Sequence, residues 1–243
     1  MEHAIDWHHL LPHWLPPVAF HALIVWTILL TVAVVVSRRI ALVPRGAQSV
    51  LEWFIEHVRY YSHEIVGPES KNYDPLFIGI FFYIFASNLW GLVPGMLSPT
   101  ANLNNNLAMA LVVFGATHYY GARRQGVKKY LMHFCGEVPW WLKPFMFFIE
   151  IIGNSARPLS LTFRLFGNIV AKEVLLLILI TLVVEFVGAR GAISKAIAVF
   201  PAVLYPLLIV LGAFICYIQA FVFMLLSQVY IAGAVAVHDA EHH

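Results

Sequence analysis

Long apolar segments confine this chain to a membrane, and the first of them runs from Val18 to Val36. These 19 residues contain no Asp, Glu, Lys or Arg, and they are long enough to cross the roughly 30 Å hydrocarbon core of a bilayer as a helix. Of all 243 residues, 60% are hydrophobic and only 12% are charged, which is too little charge to cover a soluble globule. The sequence therefore predicts an all-α integral membrane protein.

The charges around this first segment indicate that it is retained and how it is oriented. Residues 1–17 contain Glu2 and Asp6 but no Lys or Arg, whereas Arg38 and Arg39 follow the segment. A cleavable signal peptide has the reverse order of charges. Basic residues also collect in the first and third connections, and such residues favour the cytoplasmic side. We therefore expect the N-terminus outside and the C-terminus in the cytoplasm.

Later segments predict a transmembrane hairpin followed by two unusually long apolar elements. The last two segments each exceed 40 residues, about twice the length that a perpendicular span requires, so each is either two helices or one long tilted helix. Before the hairpin, residues 48–66 alternate polar and apolar residues at helical spacing, which indicates a helix on the cytoplasmic membrane surface or a soluble linker helix. The prediction is one membrane domain over 1–243, with an external segment at 1–17, transmembrane helices at 18–36, 76–93 and 107–122, the surface helix at 48–66, and long tilted helices at 144–187 and 193–237.

Ionisable residues interrupt the long segment 144–187. Such residues cost at least about 2.5 to 3.5 kcal/mol each within a span, so they usually face a protein interior or water. At 100° per residue, one polar stripe is formed by Arg157, Ser160, Arg164 and Asn168. Glu150 lies 14 residues before Arg164, and Glu173 lies nine residues after it.

An arginine with a carboxylate towards each membrane face is an arrangement suited to proton movement. Carboxylates can relay a proton, whereas a guanidinium effectively never releases one, so Arg164 would separate two paths. Alternatively, these groups pair within the bundle and only stabilise it. Because no acidic residue lies three or four positions from Arg164, its counter-charge is expected from elsewhere, for example from another subunit.

Three stretches of the sequence resemble subunit a of F-type ATP synthases, which is called subunit 6 in mitochondria. They are "ARPLSLTFRLFGNIVAKE" at 156–173, "PTANLNNNLAMAL" at 99–111 and "IQAFVFMLLSQVYIAGA" at 218–234. The resemblance implies a stator subunit in the bacterial inner membrane, with its two long helices packed along a ring of c subunits. It also implies b subunits of the peripheral stalk as partners, indirect contact with the soluble catalytic sector, and transport of H+, with Na+ left open. No cofactor, no metal and no catalysis by the chain alone are implied.

The resemblance also implies roles for individual residues. Arg164 corresponds to the essential arginine that faces a carboxylate of the c ring, and Gln219 is the glutamine near it on the next helix. Glu173 would belong to the outer half-channel and Glu150 to the cytoplasmic one. Ser160 and Asn168 would form part of the polar wall of the cytoplasmic half-channel.

The sequence departs from the commoner family pattern at three positions of the outer half-channel. Asn102 stands where aspartate is frequent, Gly212 where many members have His or Glu, and Lys172 where a small residue is frequent. One expectation for Lys172 is that its charge tunes proton access. The alternative is that it extends to the membrane surface or forms an ion pair with Glu173 or Glu185.

Other functions are less well supported by the sequence. A self-contained transporter or channel built around Arg164 is the main alternative. An intramembrane enzyme lacks a converging nucleophile and base, and no phosphate loop or metal motif is present. His9 and His13 have Pro12 between them, and Cys135 and Cys216 lie too far apart in sequence for a metal or redox motif. The net charge of +2 does not suggest nucleic acid binding.

Overall fold

The computed structural model describes residues 16–38, 46–93, 95–133, 139, 141–188 and 191–236. Regular structure within these ranges is helical throughout, as expected for an all-α membrane protein. The α-helices are α1 (Pro17–Ser37), α2 (Ala47–Val66), α3 (Asp74–Trp90), α4 (Leu103–Gln125), α5 (Val127–His133), α6 (Lys143–Gly188) and α7 (Ala192–Val235), and 3₁₀ turns lie at Pro68–Asn72 and Pro99–Ala101.

Within the described ranges, two helices are long and apolar enough to cross a membrane. They are α1 and the Ile197–Val235 part of α7, each with a mean hydropathy of 2.5, whereas the apolar α3 is shorter. Only 11% of the apolar window of α1 is buried inside the protein, so side chains such as Leu23 and Leu30 are exposed. An apolar helix that leaves this much surface uncovered is suited to lipid.

Each of the two longest apolar segments forms one continuous helix. α6 has 46 residues and contains Pro158, and α7 has 44 residues and contains Pro201 and Pro206. Proline is tolerated inside membrane helices because neighbouring groups can satisfy the freed backbone atoms. The alternative of two helices in each segment therefore does not hold, while tilt and packing against a ring stay predictions.

The chain divides into two compact units, and the predicted single membrane domain stays a prediction. The first unit consists of Met1–Arg39, Phe81–Asn102 and Leu165–Phe221. Its core contains Leu92, Leu176 and Cys216, against which Phe85 and Ile209 pack. A polar contact accompanies this core, because the indole Nε1 of Trp90 donates to Nδ1 of the buried His21 at 3.2 Å.

The second unit consists of Ile40–Ile80, Leu103–Arg164 and Val222–His243. In it, α2 buries Val58 and leaves Trp53 and Tyr60 exposed, as an amphipathic helix does. Nε2 of the buried Gln228 donates to the Val58 carbonyl at 3.4 Å. α2 ends at Val66, and the next residue, Gly67, has a φ of 90°, a backbone conformation that favours glycine. Its place on a membrane surface stays a prediction.

The short helix α5 is absent from the sequence-based expectations, since its basic residues mask the helical pattern. It is fixed in the second unit by Tyr130, which is buried. A Cβ atom at Gly121 of α4 would lie only 2.6 Å from Cε2 of Tyr130. The glycine therefore allows the two helices to approach each other closely.

Candidate functional site

The polar stripe of α6 lies on an exposed side of that helix. Ser160, Arg164 and Asn168 are all exposed. Within the described ranges, the Arg164 guanidinium takes part in no ion pair. Arg157 is also exposed, and its guanidinium carbon lies 5.3 Å from the centroid of the Tyr230 ring, within the range of a cation–π interaction. Arg157 thus has an aromatic partner, whereas no ion pair of Arg164 occurs among the described residues.

Asn168 and Gln219 contact each other in the first unit. Nδ2 of Asn168 donates to Oε1 of Gln219 at 2.7 Å, and Gln219 is buried. This bond connects Asn168 of α6 to Gln219 of α7, and the two residues are 51 positions apart in sequence. An amide pair across two membrane helices is typical of the bonds that stabilise helix packing there.

Lys172 is buried on the same helix, at 7% exposure. Its ammonium donates to the carbonyl oxygen of Asn88 at 3.1 Å and to Sγ of Cys216 at 3.4 Å. Among the described ion pairs it has none with Glu173 or Glu185. The hydrogen bonds of the Lys172 ammonium therefore go to neutral groups of α3 and α7, and its role in proton access stays a prediction.

Glu173 is half-buried next to it in sequence. Glu173 Oε1 and the Ser98 side chain both lie next to Gly91. This Oε1 atom is buried and has no hydrogen-bond partner among the described residues. A Cβ atom added at Gly91 would lie 2.9 Å from Oε1 and 2.5 Å from the Ser98 Cβ, so only glycine fits there.

Gly212 has a similar steric role opposite Lys172. A Cβ atom at this position would lie 2.8 Å from Cδ2 of Leu92 and 3.5 Å from Cδ of Lys172. The aliphatic part of the lysine side chain therefore lies where a larger residue at 212 would begin. Positions 172 and 212 are therefore neighbours in the first unit.

A polar network beside Glu173 was not anticipated from the sequence. The Ser98 hydroxyl donates to the Ser87 carbonyl at 2.9 Å and lies 2.7 Å from the Thr100 hydroxyl, which donates to Oδ1 of Asn88 at 2.6 Å. Nδ2 of Asn88 is buried without a partner among the described residues. The sequence feature that could have indicated this network is the presence of two polar residues, Ser87 and Asn88, in the otherwise apolar α3. Asn102 is half-buried and directly precedes α4, after the 3₁₀ turn.

Glu150 lies in the second unit and is half-buried. Its Oε1 accepts a hydrogen bond of 3.1 Å from Nδ2 of the buried Asn154, one turn later in α6. Asn154 and Arg157 line a small cavity together with His118 of α4. The structure thus pairs Glu150 with Asn154, which the sequence analysis did not select.

The candidate residues therefore form two separate groups by compact unit. Lys172, Glu173, Asn168, Gln219 and Asn102 belong to the first unit, and the second contains Glu150, Ser160 and Arg164. In the described part of the chain, no group of three His, Cys, Asp or Glu residues is arranged to hold a metal ion. His9, His13 and Cys135 lie outside the described residues.

Comparison with known proteins gives a consistent result. The sequence profile of a family described as "ATP synthase A chain" matches residues 19–232. A protein named ATP synthase subunit a 1 from Syntrophotalea carbinolica is 42% identical over 214 residues, which cover 88% of this chain and 83% of that protein. ATP synthase subunit a from Campylobacter hominis is 41% identical, covering 92% and 90%. The protein of that name from Desulfosudis oleivorans is 43% identical, covering 87% and 84%.

Proposed function

The chain belongs to the ATP synthase A chain family, and we propose that it couples proton flow through the membrane to rotation of the c ring. Its membership makes it an integral membrane component of the ATP synthase complex. Within that complex it acts as a stator beside the ring and carries no catalytic site for ATP.

The main support for this proposal is that Arg164 is exposed and has no counter-charge paired with it among the described residues. This permanent cation is exposed on an apolar membrane helix and has no ion-pair partner among the described residues. A charge in that position needs a counter-charge because it is costly to leave in lipid. A carboxylate on each passing c subunit supplies it.

Electrostatics then gives Arg164 its role as the divider between two proton paths. A ring carboxylic acid that faces lipid keeps its proton, because loss of water disfavours the charged form, and the nearby guanidinium favours ionisation. The proton is therefore released on one side of the arginine and taken up on the other. Each charge that crosses the membrane contributes about 2.3 kcal/mol per 100 mV, which drives rotation.

The outer path uses Glu173, with Lys172 tuning proton access; Asn102 lies on this side without an ionisable group, and Gln219 lies near Arg164. An unpaired buried carboxylate oxygen on Glu173 supports this assignment, because such an atom is normally satisfied by water. The cytoplasmic path uses Glu150, with Ser160 and Asn168 as wall. The Asn154 amide that donates to Glu150 supports a polar route there.

Orientation and partners complete the proposal. The N-terminus lies outside and the C-terminus in the cytoplasm of a bacterial inner membrane, since the basic connections favour the cytoplasmic side. The partners are the c ring, the b subunits of the peripheral stalk and, indirectly, the soluble catalytic sector. The transported ion is H+, because the polar groups assigned to both paths include carboxylates that can exchange protons.

The test is substitution of Arg164 in the assembled complex, reconstituted in lipid vesicles. Arg164→Ala should abolish ATP-driven proton pumping while ATP hydrolysis by the soluble sector survives. Arg164→Lys should restore little pumping, because lysine can lose its proton and lacks the planar set of donors. Wild-type pumping in Arg164→Ala would refute the proposal.

The same vesicles separate this proposal from a self-contained transporter. The purified chain without the c ring should carry no proton current, since the ring supplies the carboxylate. A current that depends on Arg164 in the chain alone would favour the alternative.

A further inference from the structure

A polar pocket in the second unit lies where the end of α4 meets the 3₁₀ turn that follows α2. Its volume is about 620 Å³, within the range of roughly 300 to 1,000 Å³ that is usual for small-molecule sites. Its lining includes Glu69 of the turn, Tyr73 directly after the turn, and Tyr120, Arg123 and Arg124 of α4. All of these residues belong to the second unit, and the proposed proton paths use none of them.

The two arginines give this pocket an excess of positive charge. Arg124 forms an ion pair with Glu69, which lies 55 positions before it, so the pair joins α4 to the turn. Nη1 of Arg123 donates to the Tyr119 hydroxyl at 3.3 Å, and Arg123 forms no ion pair within the described ranges. With two guanidinium groups and one carboxylate in its lining, the pocket favours an anion.

Two tyrosines add hydrogen-bond donors to the lining. Tyr73 is buried, and its ring centroid lies 4.7 Å from that of Tyr120 in an edge-to-face contact, which is a favourable arrangement for two aromatic rings. Each phenolic hydroxyl can donate to an anion. A guanidinium presents a planar set of donors that matches phosphate oxygens, so the pocket suits a phosphate group.

The position of the pocket points to a phosphate that is part of a lipid. Arg123 and Arg124 lie in the last turn of α4, and Tyr73 directly precedes the apolar α3. The pocket is therefore at one end of both helices of the predicted hairpin. Basic helix ends favour the cytoplasmic side, where the leaflet contains anionic lipids and where basic pockets between membrane helices bind their headgroups.

An exposed side of α4 extends from the pocket along the helix. Val112, Tyr119 and Arg123 are all exposed, and their spacings of seven and four residues place them on one face. An acyl chain can lie along Val112 and Tyr119 while its headgroup contacts Arg123. A free phosphate ion would gain nothing from this apolar face.

We propose that the pocket binds the headgroup of an anionic phospholipid. The Arg123 guanidinium donates to the phosphodiester, with Tyr73 and Tyr120 as further donors, and Arg124 stays paired with Glu69. The acyl chains lie along the exposed face of α4. Because the lipid binds the folded joint between the turn and α4, it stabilises that joint. This site goes beyond proton transport and requires only that the chain lies in a bilayer.

The experiment uses the complete ATP synthase complex in a neutral detergent and a phosphatidylglycerol with a photoreactive group in its acyl chain. After illumination, mass spectrometry measures labelling of the α4 peptide. Excess unlabelled phosphatidylglycerol should prevent the labelling, whereas phosphatidylcholine and inorganic phosphate should not. Equal competition by phosphatidylcholine would show contact with bulk lipid only, and competition by inorganic phosphate would show a site for a free anion. Either result overturns the proposal.

Variants of the pocket give a second, independent result. Arg123→Gln should lower the labelling about fivefold or more, because the cation that binds the phosphate is removed. Arg123→Lys should retain more labelling than Arg123→Gln, since it keeps the charge but not the planar set of donors. Co-purification of c subunits shows that each variant is assembled, and the competition measurements on the wild-type complex decide the question if one is not.

Lys128→Gln is the matched control. Lys128 is an exposed cation of α5 that does not line the pocket, and its substitution removes the same amount of charge. This variant should label nearly as wild type does. Wild-type labelling in Arg123→Gln, or an equal loss in Lys128→Gln, would show that general surface charge and not the pocket attracts the lipid, and the proposal would be wrong.

Discussion

In the first compact unit the ammonium of Lys172 donates to two fixed partners, whereas in the second unit the carboxylate of Glu150 is connected through Asn154 to a cavity. Gly91 and Gly212 in the first unit leave no room for even a methyl group beside Glu173 and Lys172. In the second unit, Asn154, which donates to Glu150, lies beside a small cavity instead. Close packing therefore surrounds the ionisable groups of the first unit, whereas the partner of Glu150 lies beside open space.

This difference predicts different weaknesses. A closely packed group tolerates little added volume, because its neighbours must move to accept a new atom. A group beside open space tolerates added volume better, because fewer neighbours must move. The comparison can therefore be tested with paired substitutions, one in each unit.

The largest effect is expected from removing each carboxylate with a substitution of equal size. Glu173→Gln should lower ATP-driven proton pumping by on the order of a hundredfold, because its surroundings contain little room for a replacement proton carrier. Glu150→Gln should lower it about tenfold, since open space beside Asn154, the partner of Glu150, leaves room for a replacement proton carrier. The measurement is vesicle acidification at equal ATP hydrolysis. A loss in Glu150→Gln equal to that in Glu173→Gln would remove the distinction between the two groups.

A smaller effect is expected on stability from adding one methyl group. Gly91→Ala and Gly212→Ala should each destabilise the subunit by about 1 to 3 kcal/mol, because the new Cβ overlaps neighbouring atoms. Gly115→Ala and Gly153→Ala in the second unit are matched controls, since nothing lies within 4 Å of the added atom. These should be neutral or stabilising by up to about 1 kcal/mol. Thermal unfolding of the purified complex measures both pairs, and equal shifts would contradict the packing difference.

The smallest effect is expected from removing the charge of Lys172 while keeping its length. Lys172→Met retains the aliphatic contact with Gly212 but loses the bonds to Asn88 and Cys216, so the complex should assemble with pumping lowered about two- to fivefold. The exposed Lys143 provides a control in Lys143→Met. Pumping should be followed as the pH of the outer medium changes. An unchanged rate at every pH would show that the lysine only fills space.

Hydropathy predicts the helices of this chain well where apolar residues form the whole element. For α1 the sequence predicts 18–36 and the structure has Pro17–Ser37. The predicted 107–122 is shorter than α4, which begins at Leu103 and includes Asn104 to Asn106. Asparagines lower the local hydropathy, yet their backbone can still form helical hydrogen bonds, so a hydropathy criterion starts the helix too late.

The candidate site is less predictable because its contacts join residues far apart in sequence. Lys172 and Asn88 are 84 positions apart, and spacing along α6 cannot show that the lysine points towards a carbonyl of α3. The same holds for Gly212, where the sequence shows only a missing side chain and the structure shows Leu92 and Lys172 in its place. Spacing does predict the stripe around Arg164, since helical periodicity alone determines which residues share a face.

The sparse burial of α1 has a consequence for how the protein is made. Since only 11% of its apolar window depends on contacts with the rest of the chain, the translocation machinery can insert this helix on its hydropathy alone. Later helices then associate with a segment that is already anchored, as in a two-stage assembly. The Trp90 bond to His21 joins α3 to α1, so it cannot form before α3 is present.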